Sequence, residues 1–305
     1  MKYLVTGATG FLGTHLCRYF AAKNIDYRAT SRMGSEPYFV TGDLTAFNDW
    51  ENLFKDINVV VHSAAKAHDM SGLEQVQKLY QDVNLKLTVC LATEAKVNHV
   101  KTFIFISTIK VNGEETFDHP FTAADNPAPI DPYGVSKYLA EVELLKLHEP
   151  PFFNVVIIRP CLIYGAGVRA NFNTLISFVK KGWPLPFGLV NNKRSFVSVD
   201  NLVDLIYTCS VHPKASGELF LVSDGLDLSL AELIRKIAYA LKKKNLLLPV
   251  PISLLRFIFG LFGKKELAQR LLSNLQVDIT KTKQLLEWAP PFTMDQALKN
   301  MQEST

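Results

Sequence analysis

Tyr133 and Lys137 stand four residues apart in Asp131-Pro132-Tyr133-Gly134-Val135-Ser136-Lys137. On a helix that spacing puts both side chains on one face, so an ammonium can sit near a phenol. The pairing has a chemical use: a free tyrosine, with a pKa of about 10, is a poor base at neutral pH, and a nearby cation stabilises its phenolate. Tyr133 with Lys137 is therefore a candidate proton carrier. Upstream, the apolar run Phe103-Ile104-Phe105-Ile106 ends on Ser107 and Thr108. A hydroxyl at such a strand end can hold the oxygen whose proton the tyrosine moves, and either residue could serve.

A second chemical feature opens the chain. Leu4-Val5-Thr6-Gly7-Ala8-Thr9-Gly10-Phe11-Leu12-Gly13 places three glycines between an apolar strand and a helix. There Gly7 permits a tight turn, Gly10 lets the backbone approach a pyrophosphate, and Gly13 lets the helix pack closely on a sheet. The helix start, from Thr9 and Gly10 to Phe11 and Leu12, then offers N–H groups to the anion. The pattern predicts a dinucleotide-binding unit.

These residues need a scaffold, and the periodicity supplies one. Over the first half, short β-branched runs alternate with helical spacing, the pattern of a parallel sheet wrapped by helices. Strands are expected at Tyr3–Thr6, Tyr27–Ser31, Val59–His62, Thr102–Ser107 and Val155–Arg159, with long helices at Leu73–Val97 and Tyr133–His148. Val59-Val60-Val61 and Phe103–Ile106 are continuously apolar, as strands covered on both faces are. After residue 165 the rhythm changes to more Pro and Gly, short helices, and shorter strands at Arg194–Val199 and Glu218–Val222. The expected fold is α/β: a Rossmann doubly wound parallel sheet over 1–165 and a smaller mixed C-terminal substrate lobe over 166–305. Segments near 194–225 are expected to return to the first domain.

Composition narrows the function classes. With 48% apolar and 20% charged residues, the 305-residue chain can bury a large core and leaves no room for a long disordered tail. A net charge of +4, with scattered Lys and Arg, calls for no nucleic-acid partner. Lys242-Lys243-Lys244 and Lys264-Lys265 read as solvated helix ends. Cys17, Cys90, Cys161 and Cys209 lack metal-finger spacing, and the first residues enter a strand with no leader, so a cytoplasmic protein is expected. His62 and His68, near Asp69, do not have the spacing of a metal-ligand pair, and no metal is expected. Leu246–Phe262 is markedly apolar, but Pro249, Pro251 and Arg256 interrupt it and it is too short to span a bilayer. It is expected to be buried in the substrate lobe, with contact to a membrane surface as the alternative.

The GxxGxxG spacing, the YxxxK pair, Arg159-Pro160-Cys161-Leu162-Ile163-Tyr164-Gly165 and Arg194-Ser195-Phe196-Val197-Ser198-Val199-Asp200 resemble the extended short-chain dehydrogenase/reductases, in their NAD-dependent epimerase/dehydratase family. The resemblance runs from Lys2 to Leu285-Leu286-Glu287-Trp288. Lys110–Glu115, Ala170-Asn171-Phe172 and Leu221–Gly225 bring it nearest to nucleotide-sugar 4-epimerases and UDP-4-keto-6-deoxy-N-acetylhexosamine 4-reductases. It implies Thr108, five residues before Gly113, as the catalytic hydroxyl beside Tyr133 and Lys137, with Ser107 in reserve. It implies cofactor contacts at Asp43 and Leu44, at Ser63, Ala64 and Ala65, at Asn84 and at Pro160. Ser31 and Arg32 fall where NAD-binding members carry an acid. An arginine beside a small hydroxyl suits a 2′-phosphate, so NADP(H) is preferred over NAD(H), with a solvated loop residue as the alternative reading of Arg32.

The resemblance also implies substrate contacts at Thr108, Lys110, Asn171 and Arg194. Arg270 is a positional match for a second arginine, and Asn171 reads equally as a helix N-cap. Ile109 and Lys110 occupy the places of the dehydratases' Asp-Glu pair, so dehydration is not expected. Asn112 stands where relatives often carry Tyr. The expected reaction is hydride transfer at C4 of a UDP-sugar. Reduction of a 4-keto-6-deoxyhexosamine in surface-polysaccharide precursor synthesis is the first reading. A 4-epimerase of UDP-glucose or UDP-N-acetylglucosamine with retained NAD is the alternative, and a catalytically silent dinucleotide-binding regulator is the third. A homodimer is implied, built on the helices at 73–97 and 133–148, with Val135, Leu139 and Val142 away from the site.

Overall fold

The computed structural model describes residues 1–34, 37–66, 73–168, 171–244 and 246–303. Its strands are β1 Tyr3–Thr6, β2 Tyr27–Ser31, β3 Tyr38–Val40, β4 Val59–His62, β5 Thr102–Ile106, β6 Asn154–Pro160, β7 Leu162–Tyr164, β8 Arg194–Ser198, β9 Leu219–Val222 and β10 Asp227–Leu228. Among the described residues, seven strands form one sheet in the order β3-β2-β1-β4-β5-β6-β9, all neighbours parallel. The order reverses between β1 and β4, and such a reversal opens a crevice beyond the carboxyl ends of the strands. Gly7, Ser31, Ser63, Thr108 and Pro160 all lie at or just past those ends. Parallel strands thus deliver residues scattered over the chain to one edge.

The sheet is covered on both faces because alternate residues of each strand enter different cores. Val5 and Ile104 join Leu16, Phe20, Leu202 and Ile206 on one side. Leu4, Phe103 and Phe105 join Leu91, Leu144 and Phe153 on the other. The Rossmann-type α/β architecture is as expected, and a smaller sheet, β10-β8-β7, with β7 and β8 parallel and β10 antiparallel, belongs to the second lobe.

Several elements depart from the expectation. The single helix predicted over 73–97 is divided into α-helix Leu73–Tyr80, a π-helical segment Gln81–Lys86 and α-helix Leu87–Val97. Strand β3, half-buried at the sheet edge, lacks a distinctive run. β9 joins the large sheet beside β6, whereas β8 pairs with β7 and β10 instead. Late residues also return to the first core: Leu275, Val277, Leu286 and Trp288 are buried there, and the Trp288 Nε1–H donates to Asp204 at 2.8 Å.

The expected burial of Leu246–Phe262 is overturned. Within helix Ile252–Leu261 only Leu255 is buried, while Phe257, Leu261 and Phe262 are 63%, 69% and 75% exposed. A helix of ten residues packs one face on the lobe, and its sequence is apolar on more than one. Among the described residues no helix is long and apolar enough to cross a membrane.

Candidate active site

The turn after β1 is built by close approach. Gly7 has φ +70°, and a Cβ there would lie 2.7 Å from the Ala64 amide nitrogen. A Cβ on Gly13 would lie 2.2 Å from the Gly7 carbonyl oxygen, so only glycine lets helix Phe11–Ala22 start against this loop. Gly10 is the N-cap, it supplies no side-chain acceptor, and the first turn carries no acid. The first N–H groups of any helix lack intrahelical acceptors, so this end is open to an anion. Thr9 and Gly10 are exposed, and Phe11 is half-buried with its ring edge-on to His15. Leu12 is buried and serves packing.

The other residues expected to face a cofactor lie at or after the ends of the neighbouring strands. The Ser63 Oγ donates to the Thr6 carbonyl at 2.7 Å, which holds Ser63, Ala64 and Ala65 beside the glycine loop. Asn84, fully buried in the π-helical segment, accepts from the Lys66 N–H at 2.9 Å and donates to the Lys66 carbonyl at 3.0 Å and to the Ser136 Oγ at 3.1 Å. It fastens the loop under the site to the helix that carries Tyr133. The widened turn lets an interior asparagine reach out of its helix, a use often made of π segments at functional sites. The Ser31 Oγ donates to the Met33 carbonyl at 2.5 Å, so its proton is engaged within the turn. Arg32 is exposed, and Asp43 accepts from the N–H and Oγ of Thr45 at 3.0 and 2.8 Å. Those bonds, and more weakly Arg32, hold the Asp43 carboxyl below its ordinary pKa. Leu44 is buried beside it, and Pro160 closes β6. A glycine cradle, an open helix start and an exposed acid-base pair at the far strand ends fit a dinucleotide.

The segments that carry Thr108 and Tyr133 are joined by an ion pair between neighbouring residues, Lys110 and Asp131. Thr108 caps the short helix Ile109–Val111, accepting from the Lys110 N–H at 3.3 Å. The Lys110 ammonium pairs with Asp131 and with Glu114. Asp131 in turn caps helix Pro132–Leu147, accepting from the Gly134 N–H at 2.7 Å. A Cβ on Gly134 would sit 3.1 Å from the Lys110 carbonyl, so the glycine of the YxxxK pattern lets the two segments touch. Lys110, proposed from sequence as a substrate contact, is thus engaged in holding the site together.

Burial dominates the electrostatics of the Tyr133–Lys137 pair. Burial first, then Asp131 and Tyr80, raise the Tyr133 phenol well above its ordinary pKa. Burial pulls Lys137 down to about 7, opposed by Glu141. Its ammonium lies 4.0 Å from the Phe105 ring centre, and no hydrogen bond joins it to Tyr133. The buried amine, one turn from Tyr133 on the same helix, rests on an aromatic face.

Sequence reasoning missed the network behind this pair. Ser107 donates to Glu141, which accepts two bonds from Arg159, at 2.9 Å from Nε and 2.5 Å from Nη2. Arg159 also reaches Asn112 at 2.8 Å. All four residues are buried. Breaking a buried pair of this kind typically costs about 3–5 kcal/mol. Ser107 is committed to that network, whereas Thr108, the half-buried neighbouring hydroxyl, takes no part in it. An acid one turn beyond Lys137, opposite the arginine just before the end of β6, was the signal available. His62 is also structural: it is fully buried, bonded to Thr6 at 2.7 Å and Thr88 at 3.0 Å. His68 and Asp69 lie outside the described residues.

In the second lobe Arg194 is half-buried and donates to the Ser273 carbonyl at 3.0 Å. Burial draws its guanidinium down to about 10, against the effect of Cys161. Arg270 is exposed and pairs only loosely, at 3.8 Å, with Glu266 on its own helix. Asn171 opens helix Asn171–Lys180, but its side chain, like Ala170, lies outside the described residues. A cavity of about 680 Å³ is lined by Gly188–Lys193, Asp227, Ser229 and Arg235, and neither Arg194 nor Tyr133 is among the residues that line it.

Comparison with known proteins bears on this geometry. Residues 3–222 match the model of the NAD dependent epimerase/dehydratase family. The chain is 48% identical to a UDP-glucose 4-epimerase of Vibrio cholerae over 305 residues, 97% of this chain and 93% of that one. It is 28% identical, over 97% of this chain and 92% of the relative, to an N-acetyl-α-D-glucosaminyl-diphospho-ditrans,octacis-undecaprenol 4-epimerase of Escherichia coli O157:H7. Among solved structures, a UDP-glucose 4-epimerase of Thermotoga maritima with UDP-glucose superposes with a TM-score of 0.79 at 21% identity, covering 100% of this chain and 98% of that one. A UDP-glucuronic acid 4-epimerase of Bacillus cereus, in complex with NAD, does so with 0.79 at 23% identity and the same coverage. At those identities the two structures speak for the fold alone. The family model spans most of the chain and the Vibrio relative nearly all of it, and so this chain belongs to the NAD-dependent epimerase/dehydratase family.

Proposed function

We propose that the protein is a 4-epimerase of a UDP-hexose or UDP-N-acetylhexosamine that keeps NAD bound through its cycle. The observation that carries this reading is the 48% identity to the Vibrio UDP-glucose 4-epimerase along essentially the whole chain, together with the presence of Thr108, Tyr133 and Lys137. NAD, when bound, supplies the hydride acceptor and later donor for sugar C4. Thr108 holds the C4 oxygen, and Tyr133 takes the hydroxyl proton as C4 is oxidised and returns it as C4 is reduced from the other face. Lys137, one helical turn from Tyr133, would favour the phenolate through its charge, and an oxidised nicotinamide would act in the same direction. Arg194 binds the diphosphate, whose planar recognition suits a guanidinium. Ile109 is buried and Lys110 is ion-paired, so neither can serve the acid/base step of a dehydratase. On this reading the protein works in the cytoplasm, where nicotinamide cofactors and nucleotide sugars are held.

The second reading, a 4-ketoreductase using NADPH, is favoured by Arg32, exposed just past β2 where an NAD-binding site would carry an acid. Mass spectrometry of ligands retained by the purified protein separates the two. Retained NAD, with interconversion of UDP-glucose and UDP-galactose in the absence of added cofactor, is the expected outcome. Net consumption of NADPH with a 4-keto sugar would replace the epimerase by the reductase. Arg32→Ala reports on the cofactor directly: if Arg32 binds a 2′-phosphate, the variant loses roughly ten- to a hundredfold in NADPH affinity and little in NADH. For an NAD-retaining epimerase, both affinities change little and alike.

A further inference from the structure

The second lobe exposes an apolar surface that the reaction does not use. On helix Ile252–Leu261, Ile252, Leu255 and Phe259 pack onto the lobe core. Leu254, Phe257, Ile258 and Leu261 form a separate stripe at i, i+3, i+4 and i+7, each between 39% and 69% exposed. Phe262 continues it. The segment leading into the helix extends the patch with exposed Leu246 and Leu248, and it is hydrogen-bonded to Leu185 by two backbone bonds of 2.8 and 2.9 Å. Exposed Trp183 lies on that neighbouring segment.

The rim of this surface is predominantly basic, with Glu266 beside Lys265 as an acid at its edge. Within Lys180–Leu189 and Lys242–Lys265 fall eight of the chain's 33 Lys and Arg and none of its 29 Asp and Glu. Lys180–Lys181 and Lys242–Lys244 are exposed, as are Arg256 and Lys264–Lys265, and the Lys181 ammonium lies 5.2 Å from the Trp183 ring centre. Single exposed apolar residues are ordinary, but a stripe at helical spacing with a cationic border has the make-up of a helix that lies in a membrane interface. Ten residues of helix span only about 15 Å, so it can lie in the plane of a bilayer but cannot cross it.

We propose that this face docks the protein on an anionic bilayer surface, with the stripe from Leu254 to Phe262 inserted and the flanking lysines on acidic headgroups. A second copy of the chain is the poorer occupant, because a two-fold contact would bring the same cations against one another. The test is sedimentation of the full chain with phosphatidylcholine vesicles, with and without phosphatidylglycerol. Binding is expected with phosphatidylglycerol, weakening as salt is raised. Phe257→Glu with Leu261→Glu should lower the bound fraction at least about tenfold, as expected when large apolar side chains are withdrawn from the interface. Turnover of a soluble UDP-sugar by that variant should stay unchanged, which separates lost docking from lost folding. Lys243→Glu with Lys244→Glu should weaken binding only to the phosphatidylglycerol vesicles. No binding by the native chain, or binding untouched by the Phe257 and Leu261 changes, overturns the proposal. So does a solution mass that falls with those changes while vesicles are ignored, since the face would then join copies of the chain.

Discussion

At the scale of single residues the proposed reaction separates groups that would touch the substrate from groups that hold them. Tyr133→Phe removes one transferable proton and almost no surface, so turnover should fall at least about 10²–10⁴-fold while NAD is retained. Steady-state kinetics with ligand mass spectrometry checks both halves, and near-native turnover would remove Tyr133 from the mechanism. His62 predicts a stability effect with a definite sign. Burial, and then Lys137, hold its folded pKa down to about 3, against 6.5 in an unfolded chain. Between those values the unfolded state binds the extra proton, so the stability due to a neutral His62 is present above pH 6.5 and is lost as pH falls toward 3, by up to about 1.4 kcal/mol per pH unit. His62→Gln removes that dependence. Denaturant unfolding across this range should therefore show the gap between native and variant narrowing as pH falls, and a constant gap would assign the acid sensitivity elsewhere.

At the scale of elements, two close approaches define the crevice. Helix Phe11–Ala22 begins against the Gly7 carbonyl, and helix Pro132–Leu147 begins against the Lys110 carbonyl. Gly13→Ala forces a Cβ into backbone atoms at 2.2 and 2.6 Å, which cannot turn aside as a side chain would. The helix start must shift, at a cost of about 1–3 kcal/mol, and the N–H groups aimed at the anion shift with it. Thermal melting and NAD titration should show a lower midpoint and weaker binding together. An unchanged midpoint would mean that the helix moves outward freely. The π-helical segment around Asn84 acts at the same scale, since one widened turn couples the loop after β4 to the Tyr133 helix.

At the scale of the whole molecule, the helices Pro132–Leu147 and Leu87–Val97 turn a face away from the sheet. Val135 and Leu139 are each 37% exposed on the first, and Val97 is 66% exposed at the end of the second. We expect a two-fold dimer built on these helices, with a mass twice the 34.2 kDa of one chain in sedimentation at micromolar concentration. Leu139→Glu should shift that mass toward the monomer and make the melting temperature depend on concentration, because subunit association is then linked to folding. A native mass of one chain across the range would sink the dimer.

Much of this protein was written in local spacing. The strands β1, β2 and β4, the glycine turn between β1 and its helix, and the Tyr133–Lys137 helix follow from periodicities of two and 3.6 residues and from glycines where a Cβ cannot fit. The parallel order of those strands then gathers Gly7, Ser63, Thr108 and Pro160 at one edge. What the spacing could not supply was the identity of distant partners. Ser107 and Thr108 are adjacent hydroxyls, and only Glu141, 34 residues on, engages the first. Lys137 is placed one turn from Tyr133 on the same helix, and Phe105 of strand β5 takes its ammonium. Leu246–Phe262 reads as core because it is apolar, but periodicity shows that a helix has apolar faces and not how many of them a neighbour will cover. Burial is a property of two surfaces, and a single chain segment specifies only one of them. The tertiary structure decided which faces meet, and left the stripe from Leu254 to Leu261 in solvent.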